Sequence, residues 1–237
     1  MDRLTRKELK TDKFAVEVGE ALEYLERHRR QATIAGIAIL AILVAAIGAH
    51  YYAKRQHSIR QAALREALTV FQAVVGDVPD NPYLPSFKTE EEKDAAIRKA
   101  FTEIIEKYPG SDEAVIATYY LGVAAVNRGD TAEAEKRFRE AAEADRQPYS
   151  SQAAYSLAQL YDRLGRSEEA QKIYRELMEH PTVLVSKEQA TIALARSIGK
   201  TNPEEARKLL EPLRAGRGPV SRAALTALGE LQQSSTP

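Results

Sequence analysis

Leu121 to Ala142 reads LGVAAVNRGDTAEAEKRFREAA, and Leu157 to Met178 reads LAQLYDRLGRSEEAQKIYRELM. Laid one above the other, they match Leu121-Gly122 with Leu157-Ala158, Gly129 with Gly165, Ala134 with Ala170, Phe138 with Tyr174 and Ala141 with Leu177, all at one constant offset. A constant offset over that many positions marks an internal repeat, and the unit is a helical hairpin. The small residues Gly122 and Ala158, with Ala134 and Ala170 later in each unit, let two helix backbones approach closely. Phe138 and Tyr174, four residues on, fill the space beside the crossing. The two glycines fall in the turns, ahead of acid-rich helix starts at Asp130 to Glu133 and Ser167 to Glu169. Pro148 and Pro181 close the units.

These residues resemble the tetratricopeptide repeat, a unit of about 34 residues that pairs Leu-Gly/Ala and Tyr in its first helix with Ala, Phe/Tyr and Ala in its second, followed by Pro. Val115 to Pro148 and Ser151 to Leu184 match well; Tyr161 takes the pattern's Tyr in the second unit, where Ala125 stands in the first. A weaker third copy starts at Glu188, with Leu194-Ala195, Ile198, Ala206 and Leu210, and Asn202-Pro203-Glu204 opens its second helix. Upstream, Ile97, Phe101, Ile104 and Pro109 match a second helix. Its partner is an amphipathic stretch from Ile59 to Val75, carrying Ala63, Ala67 and Val70, which Gly76 and Pro79 are expected to end. Between the two, Val78 to Lys88 holds three prolines and reads as an extended loop; Thr89 and Glu92 then form a capping box. Pro219 to Gln232 is expected to be a final helix covering the last apolar face of the stack.

A solenoid of this kind offers a concave face lined mainly by first helices, on which an extended peptide or a partner helix can lie. Counting from the unit starts, the exposed positions on that face are Tyr119, Val123, Asn127, Tyr155, Gln159, Arg163 and Arg196. Tyr and Arg are common binding anchors; for Tyr119 and Tyr155, packing between repeats is the competing reading. The Lys/Asn pattern with which some members of the repeat family clamp a C-terminal carboxylate is not evident at these positions.

Working back toward the N-terminus, Thr33 to Ala53 (TIAGIAILAILVAAIGAHYYA) contains no Asp, Glu, Lys or Arg. At ~1.5 Å per residue its roughly 31 Å matches the ~30 Å hydrocarbon layer of a bilayer, and it reads as a membrane span. Apolar residues cover all of its faces, unlike the single stripe of a surface helix, and the long acidic segment before it is unlike the start of a signal peptide. Arg27, Arg29 and Arg30 flank one end, Lys54 and Arg55 the other, with Tyr51 and Tyr52 at interface level. Nearby cations are balanced, Lys13, Arg27, Arg29 and Arg30 against Lys54, Arg55, Arg60 and Arg65. The further Arg3, Arg6, Lys7 and Lys10 tilt the expectation to a cytoplasmic N-terminus. Ahead of the span, Phe14, Val18, Leu22 and Leu25 recur at helical spacing, an amphipathic helix that lies on the membrane or docks on a partner.

Composition narrows the function classes. Lys plus Arg and Asp plus Glu both number 34, so nothing in the charge balance points to nucleic acid or another polyanion. The chain has no Cys, which excludes disulfides, thiolate metal sites and a lipid-modified cysteine anchor. His28, His50, His57 and His180 keep no metal-like spacing with a third ligand, and the acids from Glu90 to Asp94 suit a helix start. There is no Gly-rich phosphate loop and no nucleophile elbow. An enzyme is not expected, nor are a cofactor, a metal or a small-molecule substrate.

The expected fold class is all-α: an amphipathic cytoplasmic segment (1–32), a single transmembrane helix (33–53), a tetratricopeptide-like α-solenoid (54–232) and a disordered tail (233–237). As a layout this resembles the YfgM-like family of ancillary subunits of the bacterial SecYEG translocon. The resemblance implies a bacterial inner-membrane protein with a periplasmic C-terminal domain, and partners among translocon subunits, periplasmic chaperones or exported clients. A scaffold for another envelope complex, in cell division or secretion, and a cytosol-facing receptor are the alternatives.

Overall fold

The computed structural model describes residues 27–76, 85–216 and 218–234, in two units divided between Ser58 and Ile59. The amphipathic stretch from Phe14 to Leu25 and most of the proline loop lie outside the described residues.

The first unit holds the beginning of helix α1 (Arg29–Phe71). Its side chains between Ile34 and Tyr52 are exposed on every face, Ile37 at 64% and Val44 at 62%, and mean hydropathy reaches 2.5 over 18 residues. By length and composition this helix is able to cross a membrane.

The second unit begins within α1 at Ile59. There the stripe foreseen in the sequence packs inward: Ala67, flanked by Ala63, Leu68 and Phe71, meets Ile97, Phe101 and Ile104 of α2 (Glu90–Lys107) and Ala117, Leu121 and Ala124 of α3 (Asp112–Asn127). The helix closes at Phe71, short of the expected Gly76 and Pro79. Extended backbone at β1 (Val74–Val75) finds partners in β2 (Ser86–Phe87), a parallel pair fixed by Val74 N–H to Pro85 O at 3.2 Å and Gly76 N–H to Phe87 O at 3.0 Å. Thr89 caps α2 by accepting the Glu92 N–H at 3.2 Å, while the Glu92 carboxylate takes the Lys88 N–H at 3.1 Å, one residue before the position a capping box would use.

From α3 onward each helix packs on the next: α4 (Thr131–Glu143), α5 (Tyr149–Arg163), α6 (Ser167–Glu179), α7 (Lys187–Ile198), α8 (Pro203–Arg214) and α9 (Pro219–Ser234). The repeat positions supply the core. Ala134, Ala158, Ala170, Ala195, Ala206 and Ala224 are all fully buried, and Phe138, Tyr174 and Leu210 occupy corresponding places beside them. Burying such a large side chain contributes ~1.5–3 kcal/mol. At Gly122 the two helices of the first hairpin approach closely: a Cβ there would lie 2.7 Å from the Phe138 ring.

The two matched turns end their helices in the same way. Gly129 and Gly165 have φ of 77° and 76°, and the following N–H reaches back across the turn, Asp130 to Ala125 O at 2.9 Å and Arg166 to Tyr161 O at 2.8 Å. Their exits differ. Asp130 caps α4 through the Glu133 N–H at 3.0 Å. The cap position of α6 is Arg166, with Ser167 already inside the helix, and its guanidinium instead grips Glu169 at 2.6 and 2.7 Å. Asn202 and Pro203 open α8 as the sequence implies, Asn202 accepting the Glu205 N–H at 3.2 Å. The buried carboxylate of Glu113, in the first turn of α3, pairs with Arg60 of α1 at 3.0 Å.

Candidate protein-binding groove

α3 and α5 are first helices of successive hairpins, so residues at equal places in the repeat lie along one face. There Tyr119, Val123 and Val126 of α3 and Ser156, Gln159, Leu160 and Arg163 of α5 enclose a recess of about 190 Å³, with Phe138 of α4 at its floor. Four of the seven positions expected on the concave face, Tyr119, Val123, Gln159 and Arg163, therefore meet in one groove. Tyr119 is half-buried and does two things. Its ring packs on Phe138 at 5.7 Å and edge-on to Tyr120 at 5.4 Å, while its hydroxyl accepts from Gln152 Nε2 of α5 at 3.5 Å.

The other three positions go elsewhere. Tyr155 leans on Tyr174 of its own hairpin, ring centroids 5.8 Å apart, and packs against the core. Asn127 opens onto a separate cleft of about 670 Å³ floored by Phe71, Ile97 and Ala124 and rimmed by Glu90, Asp94 and Arg128. Arg196 forks onto Glu230 of α9 at 3.0 and 3.3 Å. The sequence pattern did not place Val126, Ser156 and Leu160 on this face, and it assigned Phe138 to the helix crossing alone. The signal was present, since Val126 follows Val123 by three and Ser156, Leu160 and Arg163 recur at helical spacing.

Two polar networks hold the groove's α5 wall. Behind it, the Asp162 carboxylate accepts the Ser197 hydroxyl of α7 at 2.6 Å and the Tyr174 hydroxyl of α6. Burial, and then the Asp162 charge, push the Tyr174 hydroxyl well above its ordinary pKa, so it stays a donor at all ordinary pH. On the other side Arg166 stacks on the Tyr161 ring at 4.0 Å and binds Glu135 of α4 at 2.6 Å, where Arg139 also donates. The Arg166 hydrogen bond is the leading cause that holds the Glu135 carboxyl below the usual carboxylate range. These links join α4, α5, α6 and α7, so the groove wall is set by packed helices. Among the described residues no group of three His, Asp or Glu side chains is placed to hold a metal ion.

The family model described as a tetratricopeptide repeat-like domain matches residues 28–180. The chain belongs to that family. Two crystal structures of a Podosopora anserina kinesin light chain-type protein with nearly identical TPR-like repeats, one of them a substituted variant, are similar in fold. Each is 15% identical, with TM-scores of 0.51 and 0.52, and the match covers 76% of this chain and 85% of theirs. No curated protein matches the chain.

Proposed function

We propose that this tetratricopeptide repeat-like protein is a membrane-anchored, non-catalytic adaptor, held by the apolar half of α1 and offering the α3–α5 groove to protein partners. The fold supports protein partners in general. The observation that carries the reading is the groove itself: exposed Gln159 and Arg163 stand beside a recess lined by Tyr119, Val123, Val126 and Leu160 on the face that first helices present. The anchor is supported by the uncharged run from Thr33 to Ala53 and its exposure on every face.

More finely, the layout supports a bacterial inner-membrane protein with a cytoplasmic N-terminus and a periplasmic repeat domain, associated with translocon subunits, periplasmic chaperones or exported clients. In-membrane crosslinking followed by pull-down tests this. Recovery of translocon subunits or a periplasmic chaperone supports it, and recovery of one stoichiometric subunit of a division or secretion complex would replace it with the scaffold role. A cytosol-facing receptor is kept as a second reading because the cations nearest the span are balanced on its two sides. Protease added to spheroplasts separates the two topologies: a periplasmic domain is digested, a cytosolic one survives.

A further inference from the structure

We propose that the α3–α5 groove selects an extended peptide presenting a carboxylate beside an apolar side chain, with Arg163 as the selecting group. This rests on the groove being the docking face.

The first support is how the arginines are used. From α3 through α7 there are eight, and seven stand beside a carboxylate: Arg128 on Asp94, Arg137 on Glu133, Arg139 and Arg166 on Glu135 and Arg196 on Glu230 by hydrogen bonds, Arg146 near Asp112 at 3.8 Å and Arg175 near Glu205 at 3.9 Å. Among the described residues Arg163 alone of these has no ion pair, and it is exposed at the groove. Its place in the last turn of α5 suits a cation but leaves the guanidinium without an acceptor. The second is the lining, which contains no Asp or Glu. Its neighbour Asp162 is already engaged by Ser197 and Tyr174. A basic ligand would meet Arg163 with nothing on the lining to offset the repulsion, whereas a carboxylate completes a charge-assisted hydrogen bond. The third is the recess of about 190 Å³ between Val123, Val126 and Leu160, a volume for one aliphatic side chain next to that charge.

Fluorescence anisotropy on the full chain in detergent tests this with three labelled peptides, alternating Leu with Glu, Gln or Lys. The Glu peptide is expected to bind about fivefold tighter than the Gln peptide, with the preference shrinking in salt. Arg163→Gln should erase the preference without lowering Tm, because no internal pair is lost; Arg163→Glu should transfer the preference to the Lys peptide, with a small loss of Tm because it places a carboxylate in the last turn of α5 beside Asp162. Equal binding of all three peptides, weakened by Val123→Asp but untouched by Arg163→Gln, overturns carboxylate selection and leaves the docking face standing. Binding by none of the three overturns the docking face and the selection with it.

Discussion

Gly122→Ala sets two effects of opposite sign against each other at the crossing of α3 and α4. Replacing a helical glycine by alanine gains ~1 kcal/mol of helix propensity. The new Cβ, however, would stand 2.7 Å from both Cδ1 and Cε1 of Phe138 and 3.3 Å from Arg137 Cβ. The ring is 3% exposed and backed by Tyr119 at 5.7 Å, so it has little room to retreat. Overpacking of this kind costs about 1–3 kcal/mol, and the expected net is a loss of ~1 kcal/mol. For a domain of this size that lowers Tm by about 2–4 °C. Thermal melts of the full chain followed by circular dichroism read it, with Phe138→Leu and the double substitution completing a cycle: the pair should cost less than the sum of the singles. The next repeat already carries a fully buried Ala158 at the equivalent place, so the clash belongs to this crossing and not to the repeat in general. A Gly122→Ala protein that melts at or above the parent temperature would refute the reasoning.

Arg60→Met removes the guanidinium that pairs with the Glu113 carboxylate, 3% exposed, at 3.0 Å, and should cost ~2 kcal/mol in urea denaturation, part of it recovered by adding Glu113→Gln. Ser111→Ala removes the hydroxyl that accepts the Ala114 N–H at 3.1 Å and caps α3, for an expected ~1 kcal/mol. Glu135, held below its ordinary value near 4.5 first by the Arg166 hydrogen bond, contributes stability that is complete above the unfolded value and fades as pH falls through the folded one. Melts from pH 7 down to about 3 should therefore show Glu135→Gln less stable at neutral pH and converging with the parent in acid.

What the sequence revealed is what the repeat writes down. Gly122, Gly129, Ala134 and Phe138, and their counterparts up to Tyr174, fixed two hairpins, and Asn202-Pro203 and Pro219 marked the helices that follow. What it hid depends on partners distant in the chain. The end of α1 at Phe71 follows from Val74 and Val75 pairing with Ser86 and Phe87, which no local pattern announces. Arg196 looked available until α9 brought Glu230 to it, and Tyr155 until α6 brought Tyr174. Asn127 shares a face of α3 with Ala124, three residues before it, and both line the cleft beside α2. Phe138, legible as the filler of the helix crossing, was not expected at the groove because it comes from a second helix, whereas the concave face was read from first helices alone.

A membrane-tethered solenoid built for contact with other proteins stands or falls on the tether. Alkaline carbonate extraction of membranes from cells making the full chain decides it. The protein should stay in the pellet and be released only by detergent, and a variant carrying Ile39→Lys and Leu43→Lys should appear in the supernatant, because charges at the middle of a span oppose insertion. Release of the unaltered chain by carbonate alone would contradict the anchor.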